Sequence, residues 1–511
     1  MPGNGLWRTK SIEQSIADTD EPGTKLRKDL TAWDLTVFGV AVVIGAGIFT
    51  LTASAAGNIA GPSVSLSFVL AAIACALAAL CYAEFASTVP VAGSAYTFSY
   101  ATFGEFAAWI IGWDLVLEFA VGSAAVAKGW SAYLQTTLGL MGFDVKTEVG
   151  DGIKFDWGAV LLVAVLTVLL VVGTKLSSRV SAVITAIKVA VVLLVIVLGI
   201  TYIKAENYSP FIPPAAESGP AVHAGVEQSL FSLITGYSGS TYGVLGMLAA
   251  ASIVFFAFIG FDVVATTAEE TKNPQKAVPR GILGSLAIVT VLYVAVTLVI
   301  TGMVPYERLR TQPDGTRATL ATAFADNGVD WAATVISVGA LAGLTTVVMV
   351  LMLGQSRVLF AMSRDGLLPR KLARTGSHGT PTRITIIIGV LVAVAAGFFP
   401  AGKLEEMVNV GTLFAFILVS AGVLVLRKTR PDLPRGFRVP LVPLVPILAI
   451  LACLWLMLNL TALTWIRFLI WMALGVVVYF VYSRRNSVLG RTGQGKVEPE
   501  PVIKHGEEPG I

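Results

Sequence analysis

Long apolar runs recur along the whole chain, and they constrain its fold more than any other feature. Crossing about 30 Å of hydrocarbon takes roughly twenty helical residues, and only helices or closed barrels satisfy the backbone there. The runs have this helical length, so we predict an all-α polytopic membrane protein with twelve transmembrane segments. The predicted segments, numbered 1 to 12, are 33–54, 64–87, 104–127, 157–174, 180–203, 243–267, 281–303, 331–359, 383–399, 405–427, 440–461 and 463–482.

The composition agrees with a chain whose solvent is a lipid bilayer. Of the 511 residues, 55% are hydrophobic and 13% are charged, against about 45–50% and about 25% in soluble domains. The net charge of +4 indicates no nucleic-acid partner. Residues 1–30 lack the apolar core of a signal peptide, so we expect an uncleaved cytoplasmic segment. Residues 486–511 lack apolar periodicity and are predicted to be a disordered cytoplasmic tail, which leaves 31–485 as the transmembrane domain.

The distribution of Lys and Arg predicts the orientation. With a cytoplasmic start, 26 of the 36 basic residues fall in inside segments and nine fall outside. Basic residues concentrate on the cytoplasmic side of membrane proteins. We therefore predict that both termini are cytoplasmic in the cell (inner) membrane. The three long connections, 128–156, 204–242 and 304–330, then lie outside.

Two predicted segments carry candidate helix breaks. Segment 1 contains Gly45-Ala46-Gly47 near its middle, and segment 6 contains Gly260 within "FFAFIGFD". Paired interrupted helices in corresponding halves of a chain indicate a transporter site, because half-helix ends direct unpaired amides and carbonyls at the substrate. Close helix packing through small residues is the alternative interpretation.

Four ionisable residues are predicted at membrane depth: Asp114, Glu118, Lys188 and Asp262. Such residues are costly in lipid and are functional candidates by default. Asp114 and Glu118 are four residues apart, so they share one helical face. Lys188 has no partner within its own segment. A buried structural pair is the alternative for the acids.

Catalytic and metal-site patterns are absent from the sequence. It contains no G-x-S-x-G, H-E-x-x-H or P-loop pattern. The three histidines, His223, His378 and His505, fall in connections or the tail, and the three cysteines, Cys75, Cys81 and Cys453, fall in apolar runs as small hydrophobes. We therefore expect no enzyme activity, no disulfide, no metal and no cofactor.

Several long motifs resemble those of a known family. They are "PVAGSAYTFSYATFGEFAAWIIGW" at 90–113, "EETKNPQKAVPRGI" at 269–282, "SRVLFAMSRDGLLPRKLA" at 356–373 and "FRVPLVPLVPI" from Phe437. In this order they resemble the amino acid–polyamine–organocation superfamily, and within it the cationic amino acid transporter branch. The animal members have two more helices than this chain, which is similar to the bacterial type.

The resemblance implies a leucine-transporter-type fold, in which segments 1–5 and 6–10 are inverted repeats and segments 11 and 12 are appended. It implies that amides of Gly45, Ala46 and Gly47 meet a substrate carboxylate. Leucine at Gly45 or Gly47 should then abolish binding without disturbing the fold. The substrate ammonium would meet carbonyls of a second group of residues, namely Val43, Phe256, Ala257 and Ile259. Phe258 would cover the substrate as a lid.

The same resemblance assigns a coupling role to Lys188, whose ammonium would bridge segments 1 and 8 when protonated and release them when neutral. Glu118 and Asp262 would belong to a pocket or polar network, and Leu344 would be one wall of the side-chain pocket.

The function implied is proton-coupled symport of an L-amino acid, cationic or small and neutral, into the cell. An exchanger without proton coupling is one alternative. A channel or membrane sensor is another, although a channel requires a continuous polar path.

Overall fold

The structure is a computed structural model. It describes residues 30–89, 94–143, 145–150, 154–172, 178–216, 225–236, 241–312, 317–373 and 381–492. The three histidines, residues 1–29 and residues 493–511 lie outside the described residues, so the expectations for them stay predictions.

The described residues are mainly helical, and each of the twelve predicted segments overlaps at least one helix among them. The principal helices are α1 (Ala32–Val43), α2 (Thr52–Ala55), α3 (Val64–Thr88), α4 (Ser94–Thr102), α5 (Glu105–Leu140), α6 (Trp157–Val172), α7 (Ser178–Gly199), α8 (Leu230–Thr235), α9 (Gly243–Val254), α10 (Pro274–Met303), α11 (Leu320–Ala325), α12 (Asp330–Arg364), α13 (Thr382–Phe398), α14 (Ala401–Thr429), α15 (Leu444–Leu458) and α16 (Ala462–Val478). Two short strands, β1 (Glu148–Val149) and β2 (Phe155–Asp156), form an antiparallel hairpin.

Within the described ranges, eight helical stretches are long and apolar enough to cross a membrane, judged by length and composition. The first is a 57-residue stretch, Ala32–Thr88, which contains predicted segments 1 and 2. Three shorter apolar helices, α6, α13 and α15, accompany them. Many of their apolar side chains are exposed, as expected where lipid is the neighbour. The chain is a multi-pass membrane protein.

Both predicted helix breaks are present. Helix α1 ends at Val43, Ile44 turns out of the helix with ψ at 94°, and a π-helical turn begins at Gly47. Helix α9 ends at Val254 and a 3₁₀ turn follows. The chain is then extended at Ile259 before Gly260, where φ is +118°.

Helices α5 and α12, of 36 and 35 residues, pack extensively against each other. Helix α16 is held against α5 by tryptophans: the rings of Trp113 and Trp471 stack at 4.5 Å between centroids. Each indole N–H donates to the other residue's carbonyl, at 2.9 and 3.2 Å.

The three cysteines are buried and free.

Residues 486–492 belong to the stretch for which we predicted disorder, but they form short helical turns against the membrane domain. The Ser487 hydroxyl donates to the buried Glu105 carboxylate. The Val488 amide donates to the carbonyl of Asp365 at 3.0 Å. The membrane domain therefore extends a few residues beyond the predicted boundary.

The second break depends on glycine at position 260 for two reasons. A Cβ there would lie 2.8 Å from Val42 Cγ1, in addition to the strain of φ at +118°. We expect Gly260→Ala to destabilise the protein by about 2–6 kcal/mol, combining backbone strain with overpacking. The measurement is the melting temperature of the purified protein in detergent.

Gly328→Ala is the matched control, because Gly328 has φ at +73° but no atom within 4 Å of an added Cβ. It carries backbone strain alone, about 1–2 kcal/mol. Equal losses in the two variants would contradict the contact between Gly260 and α1.

Candidate functional site

The two helix breaks meet each other inside the molecule. A Cβ at Gly47 would lie 2.1 Å from the Cα of Ala257. The backbones of the two broken helices are therefore in van der Waals contact, which only glycine permits at this position. This contact argues against the expectation that a substitution at Gly47 leaves the fold intact, because Gly47 is packed against Ala257 as well as facing a cavity.

A cavity lies beside this contact. Of the predicted binding residues it is lined by six from the two breaks, Val43, Gly45, Ala46, Gly47, Phe256 and Ile259, and by Glu118 from α5. The remaining lining residues are Val42, Gly122, Val126, Val347, Leu351 and Val408. The breaks thus supply backbone groups to one side, and apolar side chains of α5, α12 and α14 form the other.

Five of the predicted residues lie outside the lining. Ala257 contributes the backbone packed on Gly47, and Leu344 is fully buried, with Val347 and Leu351 of the same helix reaching the cavity instead. Lys188, Asp262 and Phe258 are buried outside the lining. The sequence alone could not show which residues of α12 line the cavity, because hydropathy does not distinguish one apolar residue from another in a helix that is apolar on all sides.

Lys188 of α7 reaches the broken helix α1. Its side chain is 2% exposed, and Nζ donates to the carbonyl of Ala41 at 2.9 Å. Its aliphatic stem lies against Gly343 of α12, where an added Cβ would be 3.0 Å from Lys188 Cγ. One lysine therefore touches both of the helices that were predicted to be bridged by it.

Phe258 forms an aromatic cluster with Phe68 of α3 and Tyr293 of α10. Ring centroids are 6.0 Å apart for Phe258 and Phe68, 5.4 Å for Phe258 and Tyr293, and 5.9 Å for Phe68 and Tyr293. All three side chains are fully buried. Phe258 therefore packs behind the break, whereas Phe256 faces the cavity.

Tyr293 also contacts the break in α1, and sequence analysis did not select it. Its hydroxyl donates to the carbonyl of Val43 at 2.7 Å. A carbonyl oxygen has two lone pairs, so Val43 keeps acceptor capacity for a substrate ammonium. A search of the apolar runs for polar residues, as was done for charged residues, would have selected Tyr293.

The buried acids extend from the cavity toward α14. Asp114 lies one turn from Glu118 on α5, and its Oδ1 is 2.9 Å from a Cβ placed at Gly411. Neither carboxylate oxygen of Asp114, nor Oδ1 of Asp262, has a hydrogen-bond partner in the described part of the chain. Glu118 alone among the three lines the cavity.

The two glycines of the first break give opposite predictions. The atoms nearest to a Cβ at Gly45 belong to the Val347 side chain, the closest at 3.2 Å, so Gly45→Ala should fold with a small shift of that side chain while filling space over the backbone amides. We expect its affinity for the transported compound to fall about tenfold, which corresponds to about 1.4 kcal/mol. The measurement is a binding isotherm on purified protein.

Gly47→Ala is the comparison, and we expect it to lower the melting temperature because its Cβ would overlap the Ala257 backbone. Normal stability of Gly47→Ala would contradict the close contact, and unchanged affinity of Gly45→Ala would remove that glycine from the binding site.

Comparisons with known proteins establish the family of this chain. A family model described as amino acid permease matches residues 30–487. The chain is 43% identical to the branched-chain amino acid permease BcaP of Bacillus subtilis, over 95% of this chain and 99% of the relative. It is 42% identical to the methylthioribose transporter of the same organism, over 96% and 100%. It is 38% identical to the vacuolar cationic amino acid transporter 4 of Arabidopsis thaliana, over 84% and 68%. The chain therefore belongs to the amino acid permease family of the amino acid–polyamine–organocation superfamily.

Proposed function

We propose that this permease is a proton-coupled symporter that moves L-amino acids into the cell by alternating access. The observation that carries the proposal is the meeting of two broken helices at one cavity, with Lys188 bonded to the α1 half of the first break. Interrupted helices at membrane depth are tolerated where they line a cavity. A continuous helix bundle would offer the substrate no free backbone groups.

The α-amino acid group would be bound by backbone atoms. Amides at Gly45, Ala46 and Gly47 would receive the carboxylate, and carbonyls of Val43, Phe256, Ala257 and Ile259 would receive the ammonium. The side chain of the substrate would then point toward α5, α12 and α14. These contacts recognise the part that all α-amino acids share, so selectivity must come from the far wall.

That wall favours an apolar side chain, since Gly122, Val126, Val347, Leu351 and Val408 form it. Glu118 is the acceptor that would hold a cationic side chain. The names of the relatives include branched-chain amino acids, cationic amino acids and methylthioribose, so small neutral and cationic amino acids are both candidates. Asp262 would extend the polar network beyond Glu118.

We propose that the protein lies in the cell (inner) membrane with twelve spans, of which segments 1–5 and 6–10 are inverted repeats. Both termini would lie in the cytoplasm. Lys188 would hold α1 against α12 while its ammonium is protonated. Proton release would free α1 to move, and a proton would thereby be coupled to the change of access.

The test of this function is transport by the purified protein in liposomes. A thermal-shift screen with the twenty amino acids and methylthioribose would first identify ligands, because a ligand stabilises the state that it binds. The ligand that is found is then tested for counterflow and for uptake driven by an imposed pH gradient. Counterflow without gradient-driven uptake would favour an exchanger, and absence of counterflow would exclude a transporter of the ligands tested.

Lys188→Met keeps the length of the stem but removes the ammonium. We expect binding to survive and proton-gradient-driven uptake to be lost, because a charge at this depth is costly unless it is used. The measurement is uptake into liposomes with and without a pH difference. Lys204→Met, which removes an exposed lysine, is the control, and retained gradient-driven accumulation in Lys188→Met would refute the coupling role.

Phe258→Ala should open the aromatic cluster behind the break. We expect it to slow transport several-fold while the equilibrium dissociation constant changes less than twofold, because occlusion and binding are separate steps. The control is Phe261→Ala, whose ring packs on Phe416 and Tyr82 instead of Phe68 and Tyr293. An unaltered transport rate in Phe258→Ala would show that this aromatic cluster does not contribute to occlusion.

A further inference from the structure

Asn409 of α14 contacts the second helix break from outside the broken helix. The last carbonyls of an α-helix have no partner within it, and Ser252 and Ile253 belong to the final turn of α9. The Nδ2 atom of Asn409 donates to the carbonyl of Ser252 at 2.8 Å and approaches that of Ile253 at 3.4 Å. Asn409 is fully buried. A side chain of α14 therefore supplies a donor that the interrupted helix lacks.

The position of Asn409 connects this hydrogen bond to the cavity. The preceding residue, Val408, lines the cavity wall. On α9, the chain continues from Ile253 into the 3₁₀ turn that contains Phe256 and then to Ile259, both of which line the cavity from the other side. The bond thus fixes the distance between the side-chain wall and the carbonyls of the break.

The orientation of the amide follows from its surroundings. With Nδ2 toward two carbonyl oxygens, the amide makes attractive contacts. The reverse orientation would place Oδ1 against both carbonyls, which is unfavourable because both groups would be acceptors. The Nδ2 group is therefore the part of Asn409 that faces the break. Its Oδ1 has no hydrogen-bond partner among the described residues.

We propose that Asn409 is a positioning residue for recognition of the substrate ammonium. By holding the end of α9 against α14, it keeps the carbonyls of the break directed into the cavity when no substrate is present. Its loss would let those carbonyls turn away. Binding would then weaken for compounds that carry the ammonium and would be nearly unchanged for compounds without it. This inference rests on the proposed amino-acid function.

The experiment compares two ligands on each variant. The first is the amino acid with the highest affinity for the wild-type protein, and the second is its α-hydroxy analogue, which keeps the carboxylate and side chain but lacks the ammonium. Dissociation constants are measured by calorimetry on full-length purified protein. The quantity of interest is the ratio of the two constants, which a general loss of stability does not change.

Asn409→Leu and Asn409→Ala both remove the donor, and the smaller alanine serves if the leucine variant does not fold. We expect the preference for the ammonium-bearing ligand to fall about fivefold in both, the effect of roughly one hydrogen bond. Asn409→Gln, which keeps the amide donor, should retain more of the preference. Ser420→Ala, which removes a buried hydroxyl about three helical turns away on α14, should leave the ratio unchanged.

The outcomes separate the two proposals. If the wild-type protein binds no amino acid, the proposed function fails. If it binds amino acids and prefers the ammonium-bearing ligand, but the preference is the same in the donor-less variants, the role of Asn409 is overturned. That role is also overturned if both ligands lose affinity by an equal factor, since such a pattern describes a structural residue.

Discussion

The contact between Gly47 and Ala257 is the constraint on which the rest of the site depends. It brings two interrupted helices together at membrane depth, where unpaired backbone groups cost several kcal/mol each unless they gain partners. A single Cβ at Gly47 would separate them. The cavity exists because the chain leaves helical geometry on both sides of this contact, at Ile44 and at Ile259.

Side chains from three different helices satisfy carbonyls near the breaks. Tyr293 donates to Val43, Lys188 to Ala41 and Asn409 to Ser252. Each donor stands on a helix that continues without a break past the site. The interrupted helices are thus held by continuous ones, and a rearrangement during transport has to exchange these bonds. This explains why these three polar residues are buried among apolar ones.

In the site that we propose, recognition of the substrate would divide into two parts with different physical origins. Backbone groups at the breaks would bind the carboxylate and ammonium, which all α-amino acids share. The opposite wall is apolar apart from Glu118, so small changes in the volume of α5, α12 and α14 side chains can change the substrate. Relatives of nearly equal identity carry names with different substrates, which agrees with a shared frame and a variable wall.

The sequence alone determined the helices, the two breaks and the family. Apolar length specifies a membrane helix, glycine permits the backbone at Gly47 and Gly260, and a charge in lipid marks Lys188 and Glu118, all of which are properties of single residues or short windows. Only the tertiary structure decided that Val347 and Leu351 face the cavity while Leu344 does not, that Phe258 packs behind the break, and that Tyr293 and Asn409 support it. These depend on the rotation of one helix against another, which is set by contacts between residues distant in the chain.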